Sequence, residues 1–464
     1  MFTRYNMQDS LIHARNVFMW AVFLVLCIIT GIIIPIFEQF ILVGLIVAVV
    51  MVITLLRPVV VFYLMMVIWP FYPLINWGVL QNSDPIVRLW QVVLISFGLI
   101  GVLLHNLKMR PRRVNANAVD LSVALLFCMG IYTSIISENF ESIVFGLYFS
   151  YLPVCLYVLA RVFLHGSHIN RWILLFAVAN ILLAVVGVYF YFINPSFLYE
   201  ILISERDINA AYRLGRPRMV SLLGNPLHFG TLMALAAVIS LAMSFATRFK
   251  ALWLICFLVF SLCAWLSQTR GSWIMILTSF AIQMWFYIKY KYNTITATTT
   301  VVIGVTGLFA VVFIFYREIA LYYLSDSQGL FLNSRIIQWS ASIDAIQSAL
   351  WGNGIGLGHA ARRIGNVDAV TVYDGWYLKV LLEGGILGVV IFGVFLLSTI
   401  SYLITNIHRL MGSRAYWQVV GIVGGFIGFS LNAIVSNVWD YYMVAPIMWI
   451  LLGIGVNLIE ATEH

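Results

Sequence analysis

Apolar stretches close to twenty residues long recur from one end of this 464-residue chain to the other, and no other feature limits its fold so sharply. A helix of about 20 residues crosses a hydrocarbon layer ~30 Å thick, and a water-soluble body has no use for so many such runs. They fall near 17–36, 39–56, 59–80, 89–105, 119–137, 142–163, 172–193, 222–245, 251–268, 273–290, 295–316, 377–401, 417–436 and 441–459. The expected class is all-α: a polytopic helical integral membrane protein of about 14 (12–14) spans, forming a single transmembrane domain over 1–464. Composition agrees, since 62% of residues are hydrophobic and 9% charged, against roughly 25% charged in soluble proteins.

Lys and Arg number 26 against 18 Asp and Glu, a formal charge of +8. In so apolar a chain this excess points to membrane topology and not to nucleic acid. Cys27, Cys128, Cys155, Cys256 and Cys263 all lie inside apolar runs, so no disulfide framework is expected. The opening MFTRYNMQDSLIHARN lacks a short apolar segment followed by a small-residue cleavage site and reads as an uncleaved cytoplasmic tail.

Basic residues concentrate in cytoplasmic connections. With the N-terminus cytoplasmic, more than half of the 26 fall inside, among them Lys108, Arg110, Arg112, Arg113, Arg161, Arg171, Lys289, Lys291, Arg409 and Arg414. Both termini are then cytoplasmic. The exceptions crowd two outer connections. Arg206, Arg213, Arg216 and Arg218 occupy 194–221; Arg317, Arg335, Arg362 and Arg363 occupy the long segment 317–376. Arg270 stands at a tight outer turn, SQTRGSW, and Lys379 at the start of a span. Arginine's planar fork of donors suits phosphate oxygens. The plainer alternative is that long outer loops escape the charge bias and simply solvate themselves.

In 317–376, an N-cap at Asn333 or Ser334 followed by Trp339, Ile343, Ile346 and Leu350 at helical spacing predicts an amphipathic helix on the membrane surface, stopped by Gly352, Asn353 and Gly354. Arg335 and Trp339, four residues apart, share a face, either to hold a phosphate or merely to stack. Asp374 stands at the mouth of the next span, as ligand or as cap, and Glu383 about two turns inside it reads as a buried hydrogen-bonding residue near Gly385. Gly271 in the SQTRGSW turn would hold Arg270 rigidly. GRPRMVSLLGNPLHFG supplies Arg216 and Arg218, an Asn225–Pro226 break and His228, more often a packing residue than a catalyst. HExxH, GxSxG and Walker sequences are absent, so neither metal nor nucleotide cofactor is expected.

Taken together, Thr269–Arg270–Gly271 after a span, Arg335 with Trp339, the glycines at 352 and 354, and Tyr377, Leu378, Glu383, Gly385 and Gly388 in a YLxxLLExGxLG pattern resemble the O-antigen polymerase and O-antigen ligase superfamily. The likeness covers roughly 200–400. It implies a GT-C-like helical body in the bacterial inner membrane, its active site facing the periplasm. The donor would be an undecaprenyl-pyrophosphate-linked glycan. The acceptor would be a second lipid-linked repeat unit for a polymerase or the lipid A core for a ligase, with a chain-length regulator and a flippase as partners. Ligases of this superfamily usually carry His-Asn nine and eight residues before the glutamate; here those positions are Asp374 and Gly375, which favours the polymerase branch. On that expectation a mechanism is assigned in which Arg270 and Arg335 hold the pyrophosphate, Arg216 or Arg218 assists, and Asp374 orients or deprotonates the acceptor hydroxyl. Arg213, His228, Trp339, Arg362, Arg363 and Tyr377 complete the expected substrate contacts; Gly271, Gly352, Gly354, Glu383 and Gly385 are expected to be structural. The main competing class is a flippase for a lipid-linked glycan, against which stands the clustering of positive groups on one side without an inverted repeat.

Overall fold

A computed structural model describes residue 49 and residues 52–68, 94–102, 116–193, 212–213, 216–306, 339–340, 350–357 and 375–461. In chain order its helices are α1 (Val60–Ile68), α2 (Ala118–Ile135), α3 (Phe140–Gly146), α4 (Val154–Phe163), α5 (Ser167–Ile193), α6 (Pro226–Ala246), α7 (Lys250–Leu266), α8 (Arg270–Lys291), α9 (Thr294–Thr306), α10 (Trp376–Asn406), α11 (Arg414–Asn432) and α12 (Ala445–Glu460). Five are long and apolar enough to cross a membrane, or six when α3, its π-helical extension Leu147–Tyr151 and α4 count as one span bent by 42°. The protein is a helical membrane protein. Helices stand at each expected span from 119–137 to 273–290 and from 377–401 to 441–459. The expected spans 17–36 and most of 39–56 lie outside the described residues.

Helix starts follow local chemistry. Asn117 accepts from Val119 N and Asp120 N while Asp120 accepts from Asn117 N, a reciprocal cap on α2. Asn225 caps α6 through Leu227 N at 2.8 Å, with Pro226 in the first turn, which moves the start of that span from 222 to 226. The all-α class holds, with one short extended feature among the described residues. Tyr212–Arg213 and Arg216–Pro217 pair as a two-residue antiparallel ladder, with Arg213 opposite Arg216.

α6 is the centre: 89% of its apolar window is buried, against 33–44% for the other long spans. The outer helices turn apolar stripes outward, as with Leu252, Ile255, Leu258 and Leu262 on α7, each more than half exposed. Such faces suit lipid and not water. Where helices meet, small residues allow close approach. Ser279 of α8 donates to Gly424 O of α11 at 2.6 Å, and side chains at Gly424 and Gly428 would press on Ser279 and Met275.

α10 is broken near its start. Gly385 has φ 62° and ψ −156°, and residues 350–357 enter the break: Asn353 N donates to Leu382 O, Gly354 N to Glu383 O and Ile386 N to Leu350 O. Backbone groups freed inside a membrane need substitute partners, and here another segment supplies them. Gly352 and Gly354, with φ 93° and 89°, accompany this insertion; a Cβ on Gly352 would strike Glu383 O and one on Gly385 would strike Leu350 O. Of the two expected helix-stopping glycines, Gly352 therefore serves close backbone packing against α10, and Gly354 serves close packing against Ser137 after α2.

Candidate functional site

Two of the polar groups in the helix bundle are fully occupied ion clusters. In the first, every N–H donor of Arg161 is used: Nε and Nη2 on Asp120, Nη1 and Nη2 on Glu460, and Nη1 on Asn457 Oδ1, at 2.6–3.1 Å. Tyr157 donates to Asp120 and Asn117 to Glu460. In the second, Lys379 Nζ donates to Asp440 Oδ2 at 2.5 Å and to Ser150 Oγ at 2.8 Å, and lies 3.7 Å from Glu383 Oε2. Ser150 donates to Asp440 Oδ1, while Glu383 Oε1 accepts from Gly356 N at 2.9 Å. Glu383 thus ties the inserted segment to α10. Lys379, an outer-facing basic residue by sequence, is buried here as the centre of that brace.

Arg270 differs from both. Exposed at the first position of α8, it has no hydrogen bond or ion pair among the described residues. The reversal before it is made by Ser267–Thr269, with Gln268 at φ 54°. The expectation that Gly271 forms a tight turn is therefore corrected. Gly271 is already helical, and a Cβ there would collide with the Asn432 side chain of α11. Its role is close helix approach.

The turn is braced from beneath. Arg218, buried, donates through Nε to Ser267 O at 2.9 Å and through Nη2 to Thr269 Oγ1 at 3.2 Å. Thr269 Oγ1 in turn donates to Pro226 O at 2.9 Å, so this N-cap residue makes no side-chain cap for α8. Met219 N donates to Leu266 O, which fastens the segment after the Arg213–Arg216 ladder to the same turn. Trp265 and Trp273 stack at 4.2 Å across the turn, and Trp265 is half exposed. Exposed indoles favour the membrane–water boundary.

An uncapped helix start carries partial positive charge, and a cation beside it is unfavourable by about 0.3–1 kcal/mol. α8 has no acidic residue in its first turn and opens with Arg270. The two positive sources add, so an anion is the natural complement.

Several distant candidates converge around the C-terminal end of α11. Gly271 meets Asn432; Trp376 N donates to Ala433 O; Tyr377 OH donates to Ser430 O at 2.8 Å. A Cβ on Gly375 would lie 3.8 Å from Trp339 Nε1, which places Trp339 at the start of α10. His228, in the first turn of α6, packs its ring 4.6 Å from Tyr441 and 5.1 Å from Tyr442. Arg335, Arg362, Arg363 and Asp374 lie outside the described residues, and Arg213 and Arg216 are placed by backbone register alone.

Sequence reading missed Asn432, Asp440 and the partners of Lys379 and Arg161. A polar residue within an apolar run was the available signal for Asn432, but its neighbours come from another helix. No known protein family matches the chain, and no curated protein matches it.

Proposed function

We propose that the protein is a membrane glycosyltransferase that polymerises undecaprenyl-pyrophosphate-linked oligosaccharide repeat units, working at the periplasmic face of a bacterial inner membrane. In this reading the chain has about fourteen spans in a GT-C-like arrangement, both termini are cytoplasmic, and the Arg270 end of the bundle is the outer end. The observation that carries the proposal is the exposed Arg270 without a partner among the described residues, on the uncapped start of α8.

The chemistry follows from where charge develops. An acceptor hydroxyl oxygen attacks the anomeric carbon of the donor, the bond from that carbon to the pyrophosphate oxygen breaks, and the lipid pyrophosphate departs with the electron pair. The acceptor proton passes to Asp374 or to solvent; orienting the hydroxyl is the main task of so weak a base. Arg270 and the α8 N-terminus lower the barrier if they bind the departing anion more tightly in the transition state than in the ground state. Arg335 would share that anion. Arg218 holds the turn that presents Arg270.

The test uses purified protein in lipid, a defined undecaprenyl-pyrophosphate repeat unit, and gels of glycan length alongside release of the lipid pyrophosphate. A ladder of longer lipid-linked products is expected, lost in Arg270→Ala while that variant remains in the membrane. Transfer only on addition of lipid A core would indicate a ligase, and movement of the lipid across the bilayer without chain growth a flippase. Undiminished chain growth in Arg270→Ala removes the basis of the proposal.

A further inference from the structure

At the end of the α7–α8 hairpin opposite Arg270, four exposed cations stand on two helix ends: Arg248 and Lys250 where α7 starts, Lys289 and Lys291 where α8 finishes. None of the four has an ion pair among the described residues. The sequence itself withholds partners: no Asp or Glu occurs between Asp207 and Glu318 or between Glu383 and Asp440, which leaves α6, α7, α8, α9 and α11 without a carboxylate. What the cations touch is aromatic. The Arg248 guanidinium lies 4.9 Å from the centre of the Phe249 ring, Lys289 Nζ 4.7 Å from that of Trp285 and Lys291 Nζ 5.7 Å from that of Tyr292. Behind them Phe245 of α6 packs 5.1 Å from Tyr287 of α8 and 5.0 Å from Trp417 of α11. The end of α6, from which Arg248 and Lys250 follow, is thereby fixed against the end of α8.

Aromatic rings favour the membrane–water boundary, and cations at that level attract anionic headgroups. From Lys250 onward α7 turns Leu252, Ile255, Leu258 and Leu262 outward, each more than half exposed. A free phosphate ion would engage the cations alone. A lipid uses both features, its phosphodiester on the cations and an acyl chain along the stripe. We infer that this end of the hairpin binds an anionic phospholipid, with Arg248, Lys250, Lys289 and Lys291 as the headgroup contacts. The site lies ~25 Å from the Arg270 turn, the length of the 17-residue α7 at 1.5 Å per residue, and does not depend on the glycosyltransferase reading.

Native mass spectrometry of the full chain, incubated in detergent with phosphatidylglycerol or phosphatidylcholine of the same acyl chains, counts the lipid retained. Wild type is expected to keep phosphatidylglycerol and to shed phosphatidylcholine. Arg248→Gln/Lys250→Gln and Lys289→Gln/Lys291→Gln should each weaken phosphatidylglycerol about tenfold. Arg57→Gln/Arg409→Gln removes the same charge from exposed residues off the hairpin, ahead of α1 and after α10, and should change retention less than about twofold. Without added lipid the hairpin variants should melt as wild type does, because the replaced side chains are exposed. Should either double variant melt lower, the single variants Lys250→Gln and Lys289→Gln carry the test, with an expected weakening of about threefold. Equal retention of the two lipids by wild type overturns the inference, as does a loss in the Arg57/Arg409 variant as large as in the hairpin variants, which would show a diffuse field and not a site. Displacement of phosphatidylglycerol by inorganic phosphate at constant ionic strength assigns the cations to a soluble anion and overturns it as well.

Discussion

Arg161 and Arg270 are the same residue type at opposite ends of the bundle, and their surroundings have nothing in common. α12 links the two ends: its start follows Tyr441, which packs on His228 near the Arg270 turn, and its 16 residues lead to Glu460 on Arg161, ~24 Å away at 1.5 Å per residue. Arg161 is saturated by Asp120, Glu460 and Asn457 and needs nothing more. Arg270 is exposed, adds to a helix start that is already positive, and has no carboxylate beside it among the described residues. One arginine closes a structural joint between helices; the other is exposed and has no partner among the described residues. Lys379, with Asp440 and Glu383, belongs with Arg161.

The contrast breaks first at the saturated cations. Lys379→Met leaves Asp440 and Glu383, with side chains 2% and 5% exposed, without their cation, and the expected loss is about 3–5 kcal/mol. Thermal unfolding in detergent should show it as a large fall in melting temperature, partly restored by adding Asp440→Asn. Arg161→Met should cost less, about 3 kcal/mol, since Asp120 and Glu460 are 21% and 20% exposed and water can reach them. A melting temperature unchanged in either variant would end the description of these clusters as structural. Gly271→Ala drives a methyl group into Asn432 and should cost about 1–3 kcal/mol by overpacking. Set beside Arg270→Ala, this variant separates the packing of the α8 start from its charge. Smallest in stability is Arg270→Ala, within about 0.5 kcal/mol as for surface sites, even though chain growth is expected to stop. A melting temperature that drops as far as that of Arg161→Met would mean the two arginines are not different in kind.

Much of the scaffold was legible. The runs at 119–137, 172–193, 273–290 and 377–401 are helices, because a long apolar segment in lipid has few ways to satisfy its backbone except within itself. Helix starts were legible where one side chain decides them, as with Asn225 and Pro226 on α6. The broken start of α10 was not, since the groups that replace its lost hydrogen bonds come from residues 350–357.

For the site, sequence marked Arg270 as a positive charge on the disfavoured side, and local spacing placed it next to Thr269 and Gly271. Sequence could not separate it from Lys379, another basic residue near a predicted outer boundary. Partnership separates them: Asp440 lies 61 residues from Lys379 in the chain and is bonded to it in space. By itself the chain determined that it enters a membrane as helices, because hydrophobic length is a property of each segment alone. Only the tertiary structure decided which charges are neutralised and which glycine makes room for a neighbour. Each of those depends on atoms supplied by a different helix.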